Sequence, residues 1–107
     1  MPFIEVKASC PISEEQELQL KTGLGQAISL LPGKSEDRLM LEFSDQRRMW
    51  YAGSQQGPIV MVNMAIYGQT TQEGFAAFGQ KAVEIIKGAL DAKAVYLKMD
   101  QTTDWAF

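Results

Sequence analysis

Two stretches of this sequence decide its fold: residues 2–8, PFIEVKA, and residues 58–67, PIVMVNMAIY. In the first stretch, apolar and polar side chains alternate from Ile4 onward, and this period of two predicts a strand over Phe3–Ser9. In the second, Pro58 opens an apolar run that Gly68 ends, which predicts a strand over Ile59–Tyr67. Each of two similar units in the sequence is therefore predicted to begin with a strand.

Each of these strands is followed by a capping signal and by an apolar stripe at helical spacing. Residues 13–16 and 70–73 have the form of capping boxes, whose side chains satisfy the free N–H groups of a first helical turn. The stripes that follow are Leu20, Leu24, Ala27, Ile28 and Leu31 in the first helix, and Phe75, Phe78, Ala82, Ile85, Ile86 and Ala89 in the second. We predict that Pro32-Gly33 ends the first helix, and that further strands lie at Leu39–Phe43 and Ala94–Met99.

The two halves of the chain match in register. Pro2 and Pro58 are 56 positions apart, and so are Leu39 and Val95. We therefore predict an α+β fold, a duplicated βαβ unit that forms a four-stranded mixed sheet with both helices on one face. The pseudo-repeats are residues 2–43 and 58–99 of a single domain, 1–107. Since both faces of the third strand and a short apolar element at Met49–Tyr51 need burial, we expect other subunits to cover the open face.

Composition excludes several classes of function. The 107 residues are 46% hydrophobic with a formal net charge of -3, which fits one globular domain and argues against nucleic acid as a partner. With no histidine and one cysteine, Cys10, the chain lacks a Ser-His-Asp triad, a Cys-His pair or a His-rich zinc site. We expect no metal and no cofactor, and we interpret Cys10 as a small buried apolar residue. A start without a signal-peptide pattern and the lack of a long apolar run predict a cytoplasmic protein with no membrane partner.

Pro2 is the most suggestive position for chemistry. Removal of Met1 would leave Pro2 with a secondary amine at the start of a buried strand, where burial lowers the pKa of an amine. Such an amine suits a general base near neutral pH. Alternatively, Pro2 simply begins an edge strand, and the residues alone leave both interpretations open.

The order and spacing of several segments resemble the macrophage migration inhibitory factor family of the tautomerase superfamily, over essentially the whole chain. These segments are Met1–Val6, Gly33-Lys34, Trp50–Ser54 followed by Pro58, Tyr67-Gly68 and Val95-Tyr96. The resemblance implies a homotrimer of βαβ repeats that performs cofactor-free keto–enol tautomerisation of phenylpyruvate-like 2-oxo acids once Met1 is removed. It assigns the general acid/base to Pro2, carboxylate binding to Lys34 and the Tyr67 N–H, and pocket roles to a neighbouring subunit's Tyr96, to Trp105 and to Phe107.

Each assignment has a plainer alternative. Lys34 follows a helix exit, where a cation stabilises the negative helix end. Arg38 either clamps a carboxylate or pairs with Glu36 or Asp37, and the sequence slightly favours the surface pair. Tyr96, Trp105 and Phe107 fit an ordinary interface or core edge equally well. The competing function is a non-catalytic trimeric binding or signalling module of the same fold.

Overall fold

The computed structural model describes all residues from Met1 to Phe107. Its strands are β1 (Pro2–Ala8), β2 (Met40–Ser44), β3 (Ile59–Tyr67) and β4 (Ala94–Thr102), and its helices are α1 (Glu14–Ala27) and α2 (Gln72–Leu90). Two 3₁₀ turns, Ile28–Leu30 and Glu36–Arg38, lie between α1 and β2. All predicted strands and helices are present, with small differences at their ends. None of the helices is both long and apolar enough to cross a membrane.

The strands form one sheet in the order β2-β1-β3-β4. β1 is parallel to β2 and β3 is parallel to β4, while the two central strands, β1 and β3, are antiparallel. Each half of the chain is thus a βαβ unit, and the two units meet at β1 and β3. This arrangement confirms the predicted four-stranded mixed sheet.

Both helices pack on one face of the sheet, as predicted. The buried side chains from the sheet and the helices form one cluster, which includes Ile4, Val6, Val62, Met64, Leu20, Leu24, Phe78 and Ile86. The stripe predicted for the first helix is buried throughout, from Leu20 to Leu31. This core fixes the strand ends from which the candidate site is built.

The opposite face of the sheet carries no helix. Met40 and Tyr96 on this face are 67% and 61% exposed, while Met61 is half-buried. Polar groups are interspersed, since Asn63 Nδ2 donates a hydrogen bond to Glu5 Oε1 at 3.2 Å. The face is therefore mixed in character, and its coverage by other subunits stays a prediction.

The two predicted capping boxes have different outcomes. Ser13 accepts a hydrogen bond from the Gln16 N–H at 3.1 Å, and the Gln16 side chain accepts one from the Ser13 N–H at 2.9 Å, so the first box is confirmed. The second box, with Thr70 as the cap, is wrong. Thr71 caps α2 instead, accepting from the Gly74 N–H at 3.0 Å, because α2 begins at Gln72.

This shift predicts opposite behaviour for two adjacent threonines. Thr71→Ala should lower the free energy of unfolding by about 1 kcal/mol, the usual cost of losing an N-cap side chain. Thr70→Ala should leave it unchanged or slightly higher, because the Thr70 hydroxyl is buried without a hydrogen-bond partner. Urea titrations at one fixed protein concentration would measure both changes, and equal losses from the two variants would contradict the assignment of the cap.

The predicted apolar element at Met49–Tyr51 is not a strand. Tyr51 and Ser54 form an isolated bridge that closes a tight turn, with Ala52 and Gly53 at φ of 52° and 77°. Both central residues have the positive φ of a hairpin turn of type I′. Trp50, 68% exposed beside this turn, therefore lies on the surface of the single chain.

Candidate active site at the amino terminus

Pro2 lies at the start of β1, where the strand meets the end of β3. It pairs with Ile66 in the antiparallel register and is buried. The next residue of β3, Tyr67, donates its backbone N–H to the carbonyl oxygen of Met1 at 3.2 Å. The register of β1 and β3 thus brings Pro2 and the Tyr67 backbone together, two groups that lie far apart in the sequence.

A cleft of about 260 Å³ opens beside this strand end. Its lining combines the amino terminus with the segment after α1 and the end of β3: Met1, Gly33, Lys34, Ser35, Asp37, Arg38 and Tyr67. Gly33 has a φ of 79°, a left-handed conformation that glycine adopts without strain, and it turns the chain from α1 toward the cleft. Three of the residues predicted for the site, Lys34, Tyr67 and Arg38, are therefore neighbours of the amino terminus.

Lys34 does not cap the first helix. Its Nζ donates a hydrogen bond to the Tyr67 carbonyl oxygen at 2.8 Å, and the last turn of α1 contains no basic residue. The helix-capping alternative is wrong because the Lys34 Nζ is bonded to the end of β3, and not to a carbonyl at the end of the helical segment that α1 and the 3₁₀ turn Ile28–Leu30 form. Lys34 is instead anchored across the cleft by the strand end that also carries the Tyr67 N–H.

Arg38 does not form the surface ion pair that the sequence slightly favoured. Glu36 pairs with Lys21, with 3.4 Å between the charged atoms, and Asp37 accepts a hydrogen bond from the Ser35 hydroxyl. Both acidic partners considered for Arg38 are thus engaged elsewhere. The guanidinium lines the cleft without a carboxylate partner, which leaves its donors available to an anion.

The cleft disfavours a protonated amine. Burial lowers the pKa of the Met1 amino group, and the positive charges of Lys34 and Arg38 lower it further, while Asp37 opposes them. An amine at this position therefore loses its proton more readily than an ordinary terminal amine does. The same two cations attract a carboxylate, so the cleft suits an acidic ligand next to a neutral amine.

The aromatic residues predicted for the pocket lie at different distances from the cleft. Phe107, 86% exposed, packs edge-to-face against Tyr67 with 6.3 Å between ring centroids. Pro2 pairs with Ile66 of β3, and Ile66 pairs in turn with Gln101 of β4. Tyr96 lies on β4 five positions before Gln101, so it is about 17 Å from this end of the sheet. Trp105 is half-buried in the segment after β4. A single chain thus brings Phe107 near the cleft and leaves Tyr96 far from it.

Tyr96 contacts Tyr51 instead, edge-to-face at 5.7 Å between ring centroids. The neighbouring Tyr51 side chain is the main cause that raises the pKa of the Tyr96 hydroxyl. Tyr96 therefore lies at an exposed aromatic pair on the open face, consistent with the expectation that it serves a neighbouring subunit rather than its own.

Sequence reasoning missed two residues of the cleft, Ser35 and Asp37. Asp37 was considered only as a partner of Arg38, and Ser35 was not considered, although both fall in the short segment between Lys34 and Arg38. The sequence signal that could have found Ser35 and Asp37 is their position between Lys34 and Arg38, two cations of the same cleft. In the whole structure, no group of three or more His, Cys, Asp or Glu side chains is arranged to hold a metal ion.

Cys10 lies at the other end of β1, in the loop toward α1. It is a free thiol, half-buried, and burial is the main cause that raises its pKa. A raised pKa keeps the group as an unreactive thiol near neutral pH. This agrees with its interpretation as an apolar residue rather than a nucleophile.

No family model matches the chain, and no curated protein matches its sequence. Solved structures do match its fold. MIF2 from Leishmania major superimposes with a TM-score of 0.91 at 20% identity, covering 100% of this chain and 93% of that chain. A fused 4-OT, described as an asymmetric trimer, gives a TM-score of 0.76 at 19% identity, with coverage of 98% and 91%. Pt0534 inactivated by 2-oxo-3-pentynoate gives 0.77 at 17% identity, also with coverage of 98% and 91%.

These similarities confirm the resemblance at the level of the fold. The match extends over nearly the whole of this chain and of each similar structure. The chemistry of this chain then has to be argued from the cleft at its own amino terminus.

Proposed function

We propose that this chain, which shares its fold with migration inhibitory factors and 4-OT, is a cytoplasmic, cofactor-free keto–enol tautomerase acting on phenylpyruvate-like 2-oxo acids. The observation that carries the proposal is the cleft in which the amino terminus meets Lys34, Arg38 and the Tyr67 backbone. It combines an amine that loses its proton readily with cations that bind a carboxylate. A similar structure, Pt0534, is inactivated by a 2-oxo acid, which supports this substrate class.

In the proposed reaction, the Pro2 nitrogen moves the proton. After removal of Met1 this nitrogen is a secondary amine that takes a proton from the carbon next to the 2-oxo group. The protonated Pro2 amine then gives this proton to the carbonyl oxygen, which forms the enol and returns the amine to its neutral form, and the reverse sequence returns the keto form. A neutral amine is required for the first step. Burial and the positive charges of Lys34 and Arg38 lower the pKa of the Met1 amino group, and we infer the same direction for the Pro2 amine at the same strand end.

The substrate carboxylate is held by groups around the same strand end. Lys34 provides a charge-assisted hydrogen bond from an amine that is already fixed on the Tyr67 carbonyl. Arg38 provides a second cation, and the Tyr67 N–H a backbone donor. These groups place the carbon next to the 2-oxo group against Pro2.

Met1 blocks this arrangement in two ways. While Met1 is attached, the Pro2 nitrogen belongs to an amide and is not a base. The Met1 carbonyl oxygen also accepts the Tyr67 N–H at 3.2 Å, so it takes the donor that the substrate carboxylate would use. Removal of Met1 thus creates the base and frees the donor in a single step.

Conversion of enol-phenylpyruvate to its keto form, followed by absorbance, tests the proposal on protein whose intact mass shows that Met1 is gone. Catalysis above the buffer rate that a 2-oxo acid analogue inhibits would support it. Absence of catalysis from fully processed protein would contradict it.

Lys34→Ala is expected to raise KM for phenylpyruvate much more than for its methyl ester. The lost charge-assisted hydrogen bond costs about 1.5–3 kcal/mol, or roughly 10- to 150-fold in KM, and only the acid makes it. Lys87→Ala, which removes an exposed lysine from the last turn of α2, is the matched control. Equal effects on acid and ester would show that Lys34 acts by positioning Tyr67 and not by binding the carboxylate.

We further propose that the protein is a homotrimer in which Tyr96 and Trp105 of one subunit line the cleft of the next, with Phe107 at its rim. Support comes from the exposed aromatic pair of Tyr51 and Tyr96 on the uncovered sheet face, and from the trimer described for the fused 4-OT. Light scattering at micromolar concentration should give the mass of three chains. A monomer would contradict this assembly and remove Tyr96 from the site.

The second candidate function is a non-catalytic trimeric binding or signalling module. It is the function expected of a chain that keeps Met1, because such a chain has its amine in an amide and its Tyr67 N–H bonded to the Met1 carbonyl. Intact mass of the protein from its native host distinguishes the two functions: complete retention of Met1 supports the module, and loss of Met1 supports the enzyme.

A further inference from the structure

A second and larger cleft lies at the end of the sheet opposite the amino terminus. Its volume is about 480 Å³, and it lies where β1 ends and β3 begins. Ala8 pairs with Val60, six positions along β1 from the pair of Pro2 and Ile66, so the two clefts are about 20 Å apart. The lining residues come from three separate segments: Ser9 and Cys10, residues 46–49, and Gln55, Gly57 and Pro58.

The walls of this cleft are fixed by backbone hydrogen bonds. The N–H of Arg47 donates to the Ala8 carbonyl at 3.0 Å, and the N–H of Gln46 donates to the Cys10 carbonyl at 3.1 Å. Ser9 and Ile59 join the other two segments, because Ser9 N–H donates to the Ile59 carbonyl and Ile59 N–H donates to the Ser9 hydroxyl, both at 2.9 Å. The segment that carries the arginines is therefore held against the end of β1.

Two arginines, Arg47 and Arg48, are among the residues that line the cleft. The ion pairs of the chain involve Lys21, Lys81 and Lys98 and neither of these arginines. No acidic residue lines the cleft. In a chain of net charge -3, the cleft thus carries two cationic side chains in its lining and no acidic one.

The negative charge of Asp45 reaches the edge of the cleft, where it contributes with burial to the raised pKa of the Cys10 thiol. Asp45, the neighbour of Gln46, accepts a hydrogen bond from the Ile12 N–H at 2.8 Å. Burial raises the pKa of the Cys10 thiol, so this residue adds no negative charge to the cleft near neutral pH. The remaining lining is polar but uncharged, from Ser9, Gln46 and Gln55, or apolar, from Met49 and Pro58.

We propose that this cleft binds a small organic phosphate monoester, with Arg47 and Arg48 on the phosphate and Met49 and Pro58 against the organic group. Guanidinium groups bind phosphate oxygens through paired, planar donors. The double charge of a phosphate monoester suits two unpaired arginines better than the single charge of a monocarboxylate. The cleft volume lies in the range of small-molecule sites, which exceeds what a bare phosphate ion fills.

The test is a titration of the whole processed protein with propyl phosphate, followed by backbone amide shifts in NMR spectra. Shifts should saturate at Cys10, Gln46 and Arg47, and not at Lys34 or Tyr67. Arg47→Gln and Arg48→Gln should each weaken binding by about tenfold or more, as expected for the loss of a charge-assisted hydrogen bond. Arg38→Gln in the amino-terminal cleft, and Lys87→Gln on α2, are the matched controls and should leave the dissociation constant unchanged.

Two further ligands separate the parts of the proposal. Butyrate, with the same carbon chain and one charge, should bind at least about tenfold more weakly than propyl phosphate, because one charge leaves an arginine unpaired. Inorganic phosphate should also bind more weakly, because it does not reach Met49 and Pro58. Equal binding of inorganic and propyl phosphate would overturn the monoester assignment. The site would be overturned if neither Arg47→Gln nor Arg48→Gln changed the dissociation constant. It would also be overturned if the chemical shifts changed only at Lys34 and Tyr67.

Discussion

Retention of Met1 is expected to lower kcat/KM for the conversion of enol-phenylpyruvate by at least about 10²-fold, the lower range of general acid–base contributions. The physical reason is that an amide nitrogen at Pro2 has no basic lone pair. The Met1 carbonyl adds to the loss, because its hydrogen bond with Tyr67 at 3.2 Å removes a donor from the substrate.

One preparation measures this effect most directly. Protein that retains Met1 is assayed before and during treatment with methionine aminopeptidase, and intact mass follows the loss of one methionine. Activity should rise in proportion to the processed fraction. The same protein incubated with heat-inactivated aminopeptidase is the control, and its mass and activity should stay unchanged. Full activity in a sample whose mass shows Met1 in place would rule out the amine mechanism.

The strands and helices were predictable because their signals are local. The alternation in residues 2–8 and the stripe from Leu20 to Leu31 each depend on burial of one face of one element, and the structure buries those faces. The sheet order followed from the repetition of these signals, since two βαβ units with right-handed crossovers have few ways to share one sheet.

The predictions that were wrong concern which of two neighbouring residues makes a given contact. Thr70 and Thr71 are both good cap residues, and only the start of α2 at Gln72 decides that Thr71 reaches the Gly74 N–H. Arg38 has two acidic neighbours in sequence, but Lys21 from α1 takes Glu36 and the Ser35 hydroxyl takes Asp37. A long charged side chain pairs with the group that is nearest in space, and that group is often not the one nearest in the sequence.

Only part of the candidate site was predictable from the sequence, because its residues also meet through contacts between distant segments. Pro2 was suggested by the residues themselves and Lys34 by the resemblance, and the structure places Lys34 beside the amino terminus by bonding it to Tyr67. The arginine-lined cleft left no signal, because its walls come from residues 9–10, 46–49 and 55–58, which meet only after β1 and β3 have paired. The place proposed for Tyr96, at the cleft of another subunit, depends on contacts between chains, and the pattern of one chain does not contain them.

Pro2→Ala in the processed protein is expected to lower kcat by at least about tenfold, which is only part of the 10²- to 10⁴-fold that general acid–base catalysis contributes as a whole. Alanine still permits removal of Met1 and leaves an amine, but the amine is primary and is no longer held by a ring. The free energy of unfolding should change little, because Pro2 is the first residue of β1 and donates no hydrogen bond to the ladder. Rate assays and urea titrations on the same samples separate the two effects.

The pH dependence identifies the group that the substitution affects. Burial and the two cations lower the pKa of a terminal amine in this cleft, so the neutral base should persist to lower pH than for an ordinary amine. The rise of kcat/KM with pH should then have its midpoint below the usual range of a terminal amine, and Arg38→Gln should move that midpoint upward by removing one cation. An unchanged midpoint in Arg38→Gln would separate the titrating group from the cleft. Unchanged turnover in processed Pro2→Ala would show that Pro2 does not move the proton.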